Sequence, residues 1–477
     1  MKNTKLILLL KTFSKEEIKR FRDFVISPYF NKNKNVQKLN ETLFKFHPKY
    51  DSLLPDEETI YKEIFPGEKF DYFKIKNISS DLYNLGVEFL RLTPNPSTEF
   101  TSEYNLIVQL RQRKLFNLHG KLVKSLEKSF KEKKIKDNPF LYNNYLVSIE
   151  SQFVDLFEKP SSISGIVNEF DSFFEYFINN LLFYYNLFIH ISKDNNIKLD
   201  VKMMDEVISF LEKGPVSSHP VTLSYSYLIL LKIKGNDEYF FRLKEHYFNN
   251  FEFMNEFSAY TVHMYMFGYC ADKYNIEGDR RYVNEGYELY RHSYLNNRVT
   301  SGELLYPDFV NYIKIFVRAG DIELARKFIA DFAAQLPKDQ LDNCLNYSNA
   351  YIAHYEGDYN KALKLITMVN FPLAILKVQV RLIEVQLNFQ LEYYEETRSI
   401  IESFKKTFMK EAVISESLKE SILGFLKSTI TLINLKQESD RNKRQTDLSM
   451  LKDTISKNQM NHFGVKFWLE DRIKEEM

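Results

Sequence analysis

Only two cysteines, Cys270 and Cys344, occur in 477 residues. Two thiols cannot build a disulfide framework in a chain of this length, and they suit a reducing, cytoplasmic setting. Net charge is nearly absent as well: the formal value is +1, so no global field recruits nucleic acid or an acidic membrane. Long apolar runs are missing. The opening MKNTKLILLLKTF is too short for a signal-peptide core and leads straight into charged residues. The densest apolar stretch, FFEYFINNLLFYYNLFIHI, carries Glu175, Asn179, Asn180 and Asn186, so it fails as a membrane span and reads as a buried helix.

Catalytic signatures are lacking too. Neither G-x-x-x-x-G-K-[ST] nor G-x-G-x-x-G occurs, which leaves no phosphate-cradling loop. H-E-x-x-H, C-x-x-C and the nucleophile elbow G-x-S-x-G are absent, and the nine histidines are scattered. His263 stands among Met264, Met266 and Phe267 and reads as a core histidine. Carboxylates are plentiful on helix surfaces, and any two could meet in the fold. The expectation is a protein without catalytic residues, metal or cofactor.

What the chain does have is hydrophobic residues at 44%, charged residues at 27%, and aromatics at 15%, mostly Phe and Tyr, to fill layers between helices. The stretch from Phe309 to Phe404 organises the rest. It contains three blocks of one grammar: apolar helix, short break, apolar helix. The breaks are Gly320, Gly357 and Glu392, spaced 37 and 35 residues apart. A period near 34 residues is that of helix-turn-helix repeat units. Glycine suits a helix end because it adopts the left-handed conformation without a Cβ penalty, and the Asp after it can cap the next helix. Beyond each break apolar residues recur at helical spacing, as in Ile322, Ala325, Phe328, Ile329 and Phe332. Two weaker copies break at Gly235 and Gly278.

These blocks resemble the tetratricopeptide repeat. Gly357-Asp358-Tyr359 followed by Ala362 is similar to its Gly-Asp-Tyr-x-x-Ala core, with Ala350 in the small position facing Ala362. Gly320-Asp321-Ile322 with Ala325 and Pro337 is a second match. Ile313 and Val385 stand where the family has a small residue, and Phe332, Val369 and Phe404 replace its late alanine; larger residues there push helices apart. The resemblance implies an all-α fold, a right-handed α-α superhelix with an N-terminal helical bundle. It also implies a concave face lined by the first helix of each unit. Those positions are Lys314 and Arg318, then Tyr347, Tyr351, His354 and Tyr355, then Gln379, Leu382, Gln386 and Gln390. Tyrosines, amides and two cations suit an extended peptide, so the implied function is a protein-interaction scaffold whose partner is a protein or peptide segment. They do not match the Lys/Asn clamp by which some family members hold a terminal carboxylate.

The flanks divide as follows. Residues 1–97 read as a bundle of short helices that caps the array, with a capping box at Ser14 to Glu17 and a Pro-rich linker at Thr93 to Ser97. A helix-turn-helix DNA reader is the rival there, but its reading helix, Lys74 to Asn84, offers only Lys74 and Lys76. Residues 98–219 are long helices, 220–435 the array, and 436–477 a polar segment followed by an amphipathic capping helix with Val465, Trp468 and Ile473 on one side. Lys436 to Asp447 is expected to be exposed or flexible. The alternative function lies in the basic helix 111–136, which could contact phosphate. Against that, Leu115, Leu118, Leu122, Val123, Leu126 and Phe130 form an apolar stripe that leaves the lysines on a solvated face.

Overall fold

A computed structural model describes residues 3–93, 99–158, 163–195, 201–408, 414–457 and 461–477. Every regular element among them is helical, and no strand occurs among the described residues. The chain divides into two compact units, residues 1–119 and 120–477. The expected linker at Thr93 to Ser97 and boundary at Pro160 to Gly165 fall largely outside the described residues.

The first unit contains α1 (Lys5–Lys11), α2 (Lys15–Ile26), α3 (Lys34–Phe44), α4 (Tyr50–Leu53), α5 (Glu57–Ile64), α6 (Tyr72–Leu92) and α7 (Glu99–Gln112). The capping box forms: Ser14 Oγ accepts from the Glu17 amide at 3.1 Å, and Glu17 accepts from the Ser14 amide at 2.7 Å. α6 packs on α1, α2 and α3 around a core that includes Phe13, Phe21, Leu39, Leu82 and Phe89. Lys74, the leading residue of the supposed DNA-reading helix, is engaged by Glu68 at 2.6 Å.

Helix α8 (Phe116–Glu132) spans the division between the units. The stretch Arg111 to Lys136 is therefore not one helix. It breaks between α7 and α8, where Lys114 has φ +60°, and it leaves helix again after Glu132. Its apolar stripe divides too: Val123, Leu126 and Phe130 are buried, whereas Leu115, Leu118 and Leu122 are exposed.

The second unit continues with α9 (Asn138–Glu158), α10 (Ser164–Asn195), α11 (Met204–Glu212), α12 (Pro220–Lys234), α13 (Asp237–Asn250), α14 (Glu256–Asn275) and α15 (Arg281–Leu295). The stretch expected to be repeats holds α16 (Tyr306–Arg318), α17 (Ile322–Phe332), α18 (Leu341–Tyr355), α19 (Tyr359–Ile366), α20 (Ala374–Gln390) and α21 (Tyr394–Phe408). It is followed by α22 (Glu416–Lys436), α23 (Arg441–Lys457) and α24 (Val465–Glu476). From α12 to α21 the helices pack pairwise, α12 on α13, α14 on α15, α16 on α17, α18 on α19 and α20 on α21, and α16 also packs on α18. The apolar stretch in α10 is not buried all round. α10 packs mainly on α9 and α12, which leaves Phe173, Phe177, Tyr184, Leu187 and Ile191 exposed. The segment Lys436 to Asp447 is also more ordered than expected. α22 runs to Lys436, and α23 starts at Arg441 because Leu448, Leu451 and Ile455 supply a buried face at helical spacing.

The three breaks share one geometry. Gly320, Gly357 and Glu392 have φ +86°, +82° and +63°. The Gly320 amide donates to Val317 O at 3.0 Å and the Asp321 amide to Phe316 O at 2.9 Å. The second break repeats this with His354 O at 3.2 Å and Ala353 O at 2.9 Å, and the third with Phe389 O at 3.1 Å and Asn388 O at 2.9 Å. This paired bonding satisfies carbonyls that a helix end would leave bare. Asp321 and Asp358 then cap α17 and α19, accepting from Leu324 and Lys361 amides. Gly235 also lies in the left-handed region at φ +62°, but its amide makes one bond, to Leu231 O. Ala350 and Ala362 are fully buried in one core, while Ile313 and Val385 are equally buried despite their size.

Candidate functional site

The spacing along each helix aligns the concave-face residues. Lys314 and Arg318 lie one turn apart on α16; Tyr347, Tyr351 and Tyr355 repeat every fourth residue on α18; Gln386 and Gln390 do so on α20. Residues four apart share a helix face. All of the expected residues, Leu382, His354 and Gln379 included, line a single cavity of about 460 Å³. They differ in exposure. Tyr347, Tyr351, Gln379, Leu382 and Gln386 are buried, Tyr355 is 49% exposed, and Lys314, Arg318, His354 and Gln390 are half-buried.

Part of that burial comes from the chain's own C-terminal segment, which forms the opposite wall. Asn461, fully buried, donates its backbone N–H to Asn275 O at 2.5 Å and its side-chain N–H to Tyr274 O at 3.3 Å. Its Oδ1 accepts from the Lys466 and Phe467 amides at 3.0 and 3.2 Å, and so caps α24 from outside the helix. The Phe463 amide donates to Asn275 Oδ1 at 3.1 Å, and Arg318 Nη2 donates to Phe463 O at 2.9 Å across 145 residues of sequence. At Gly464, φ is +83° and an added Cβ would lie 2.6 Å from the Tyr274 hydroxyl, so the turn into α24 accepts only glycine here.

α24 thus has two working sides. Val465, Leu469 and Ile473 join the core beneath α22 and α23. Phe467, Trp468, Asp471 and Arg472 look into the cavity. Trp468 meets Phe389 and Phe425 edge-on, at 5.2 and 5.7 Å between ring centroids. Arg280 lies over the Phe467 ring at 4.0 Å and near Glu470 and Asp471. α24 therefore forms one wall of the cavity lined by α16, α18 and α20.

The polar interior is cationic. Arg318 Nε donates to Tyr351 Oη at 2.8 Å, and its guanidinium lies over Tyr274 at 5.1 Å. Lys314 reaches Asn311 Oδ1 at 3.4 Å and lies 5.9 Å from the Phe463 ring centre. Among the described residues neither cation has a carboxylate partner. Burial, then the neighbouring Arg318 charge, pushes the Lys314 ammonium well below its ordinary value. Burial and the Arg472 charge push His354 down to about 4. Tyr347 Oη donates to Gln379 Oε1 at 3.2 Å, and Gln390 Nε2 donates to Tyr359 Oη at 3.3 Å. Burial raises Tyr347 and Tyr355, so both stay protonated donors.

Sequence reasoning missed Tyr274, Asn275, Arg280 and Asn461. They come from elements far apart in the chain, and nothing in local spacing marks them. His263 is 2% exposed, its Nδ1 3.0 Å from Ser293 Oγ, and burial holds it down to about 3. Both thiols are buried and pushed up, Cys344 to about 12, which makes them poor nucleophiles. No group of metal-ligating side chains occurs among the described residues, and no described helix is long and apolar enough to cross a membrane. The chain matches no protein-family model, no curated protein and no solved structure.

Proposed function

We propose that this chain is a non-enzymatic, cytoplasmic interaction scaffold. In this reading a tetratricopeptide-like array forms a right-handed superhelix whose concave face takes a protein segment. The observation that carries it is the seating of Asn461 to Trp468 on residues of α14, α16 and α20. Backbone groups of that segment are bonded by Asn275 and Arg318, and its rings are taken by Arg280, Phe389 and Phe425. A face that holds one polypeptide through backbone bonds and ring pockets has the chemistry to hold another. The chain's own segment then acts as the resident occupant, which a partner displaces. The three matching turns at Gly320, Gly357 and Glu392 support the repeat reading.

The test uses the full chain with Asn461→Ala and Gly464→Ala combined, which loosens residues 461–468 while Leu469 and Ile473 keep the rest of α24 in place. A labelled peptide of residues 461–468 should bind the double variant and not the wild type, and adding Arg318→Met should abolish binding. Emission from Trp468, the only tryptophan, reports whether the segment has come away. A double variant with red-shifted emission that still ignores the peptide would reject the proposal.

A further inference from the structure

The seated segment does not fill the cavity, and the remaining space has an unusual charge balance. Four cations line it: Lys314 and Arg318 from α16, Arg280 from the start of α15, and Arg472 from α24, the last paired with Glu475 at 2.6 Å. Asp471 is the only carboxylate in the lining, and it lies at the rim, 55% exposed, turned to Arg280. Lys314 and Arg318 sit deeper and have no acidic partner among the described residues. Placing two like charges side by side out of water costs free energy unless something negative offsets it. In addition, His354 Nδ1, Arg472 Nε and Trp468 Nε1 are buried with no hydrogen-bond partner among the described residues. Two of these, Arg472 Nε and Trp468 Nε1, are donors only.

We propose that this cavity is a binding site for a small organic phosphate, with the phosphoryl group between Lys314 and Arg318. A phosphate monoester carries close to two negative charges at neutral pH and three strong acceptor oxygens, which suits two cations. An arginine and a lysine are the two cations that phosphate sites combine. The volume of about 460 Å³ falls in the range of small-molecule sites. The rings of Tyr351, Tyr355 and Trp468 offer walls for the organic part, and the exposed edge of Tyr355 marks the way in. Because Arg472 belongs to α24 and Lys314 to α16, the ligand bridges the repeat helices and the C-terminal segment. This site does not depend on the scaffold reading: a ligand can bind here whether or not a protein partner exists.

The experiment compares AMP, adenosine, inorganic phosphate and citrate as probes on the full chain, by thermal shift and titration calorimetry. AMP should raise the melting temperature and bind; adenosine should not. Lys314→Met is the sharper arm. It removes an amine whose charged form has no acidic partner, at nearly constant volume, so the variant without ligand should melt no lower than wild type while its AMP affinity falls about tenfold or more. Arg280→Gln, at the exposed rim, cannot unfold the core and should weaken AMP several-fold. Equal response to adenosine and AMP, citrate binding as tightly as AMP, or a Lys314→Met protein that is less stable and still binds AMP would each overturn the assignment.

Discussion

Asn461→Ala is the substitution from which the arrangement of the C-terminal segment predicts most. The side chain makes three hydrogen bonds: one donated to Tyr274 O and two accepted from the Lys466 and Phe467 amides. Alanine keeps the backbone bond to Asn275 O and removes the other three. The two lost at α24 amount to loss of a helix cap, about 1 kcal/mol. The third strands a carbonyl at a buried site, at about 1–2 kcal/mol. The total, about 2–3 kcal/mol, falls on local opening of residues 461–468, because Leu469 and Ile473 remain packed under α22. That corresponds to a rise of about 30- to 150-fold in the open fraction, at 1.4 kcal/mol per tenfold. Native-state hydrogen exchange reads it directly: the Lys466 and Phe467 amides should exchange faster by that factor, while amides in α16 and α18 keep their rates. Unchanged exchange at Lys466 and Phe467 would refute the claim that Asn461 holds the segment in place.

Three further outcomes follow. Glu392 occupies the left-handed position that glycine fills at 320 and 357, so Glu392→Gly should stabilise the protein by about 1 kcal/mol in urea unfolding. Gly357→Ala, which meets no steric obstacle, should cost about 1–2 kcal/mol from backbone conformation alone. His263 is held neutral down to about pH 3 in the fold, whereas in the unfolded chain it protonates below about 6.5. Its contribution is therefore complete above pH 6.5 and is lost as pH falls from there toward 3. His263→Gln should flatten stability against pH between 6 and 4.5 by up to about 1.4 kcal/mol per pH unit, read from urea midpoints; an unchanged slope would contradict the burial argument.

Much of the fold could be read from local rules. The capping box at Ser14 and the turns at Gly320, Gly357 and Glu392 depend on a few consecutive residues, and helical spacing is enough to group Tyr347, Tyr351 and Tyr355. What escaped was set by distant partners. The basic stretch 111–136 breaks at Lys114, a lysine in a conformation that sequence assigns to glycine. α10 looks buried from its composition, yet Phe173, Phe177 and Tyr184 stay exposed. The face of α16, α18 and α20 was visible, but its far wall was not. Asn275 and Asn461 meet across most of the second unit, and nothing in either neighbourhood announces the other.

The central claim is that this face binds a polypeptide once its resident segment is displaced. Affinity capture from lysate tests it, with the wild type, the Asn461→Ala/Gly464→Ala variant and that variant carrying Arg318→Met, each washed at low and high salt. The account predicts a protein retained by the loosened variant at high salt and lost when Arg318 is replaced. Nucleic acid recovered only at low salt, equally by all three proteins, would contradict it and move the function to the basic residues between Arg111 and Lys136.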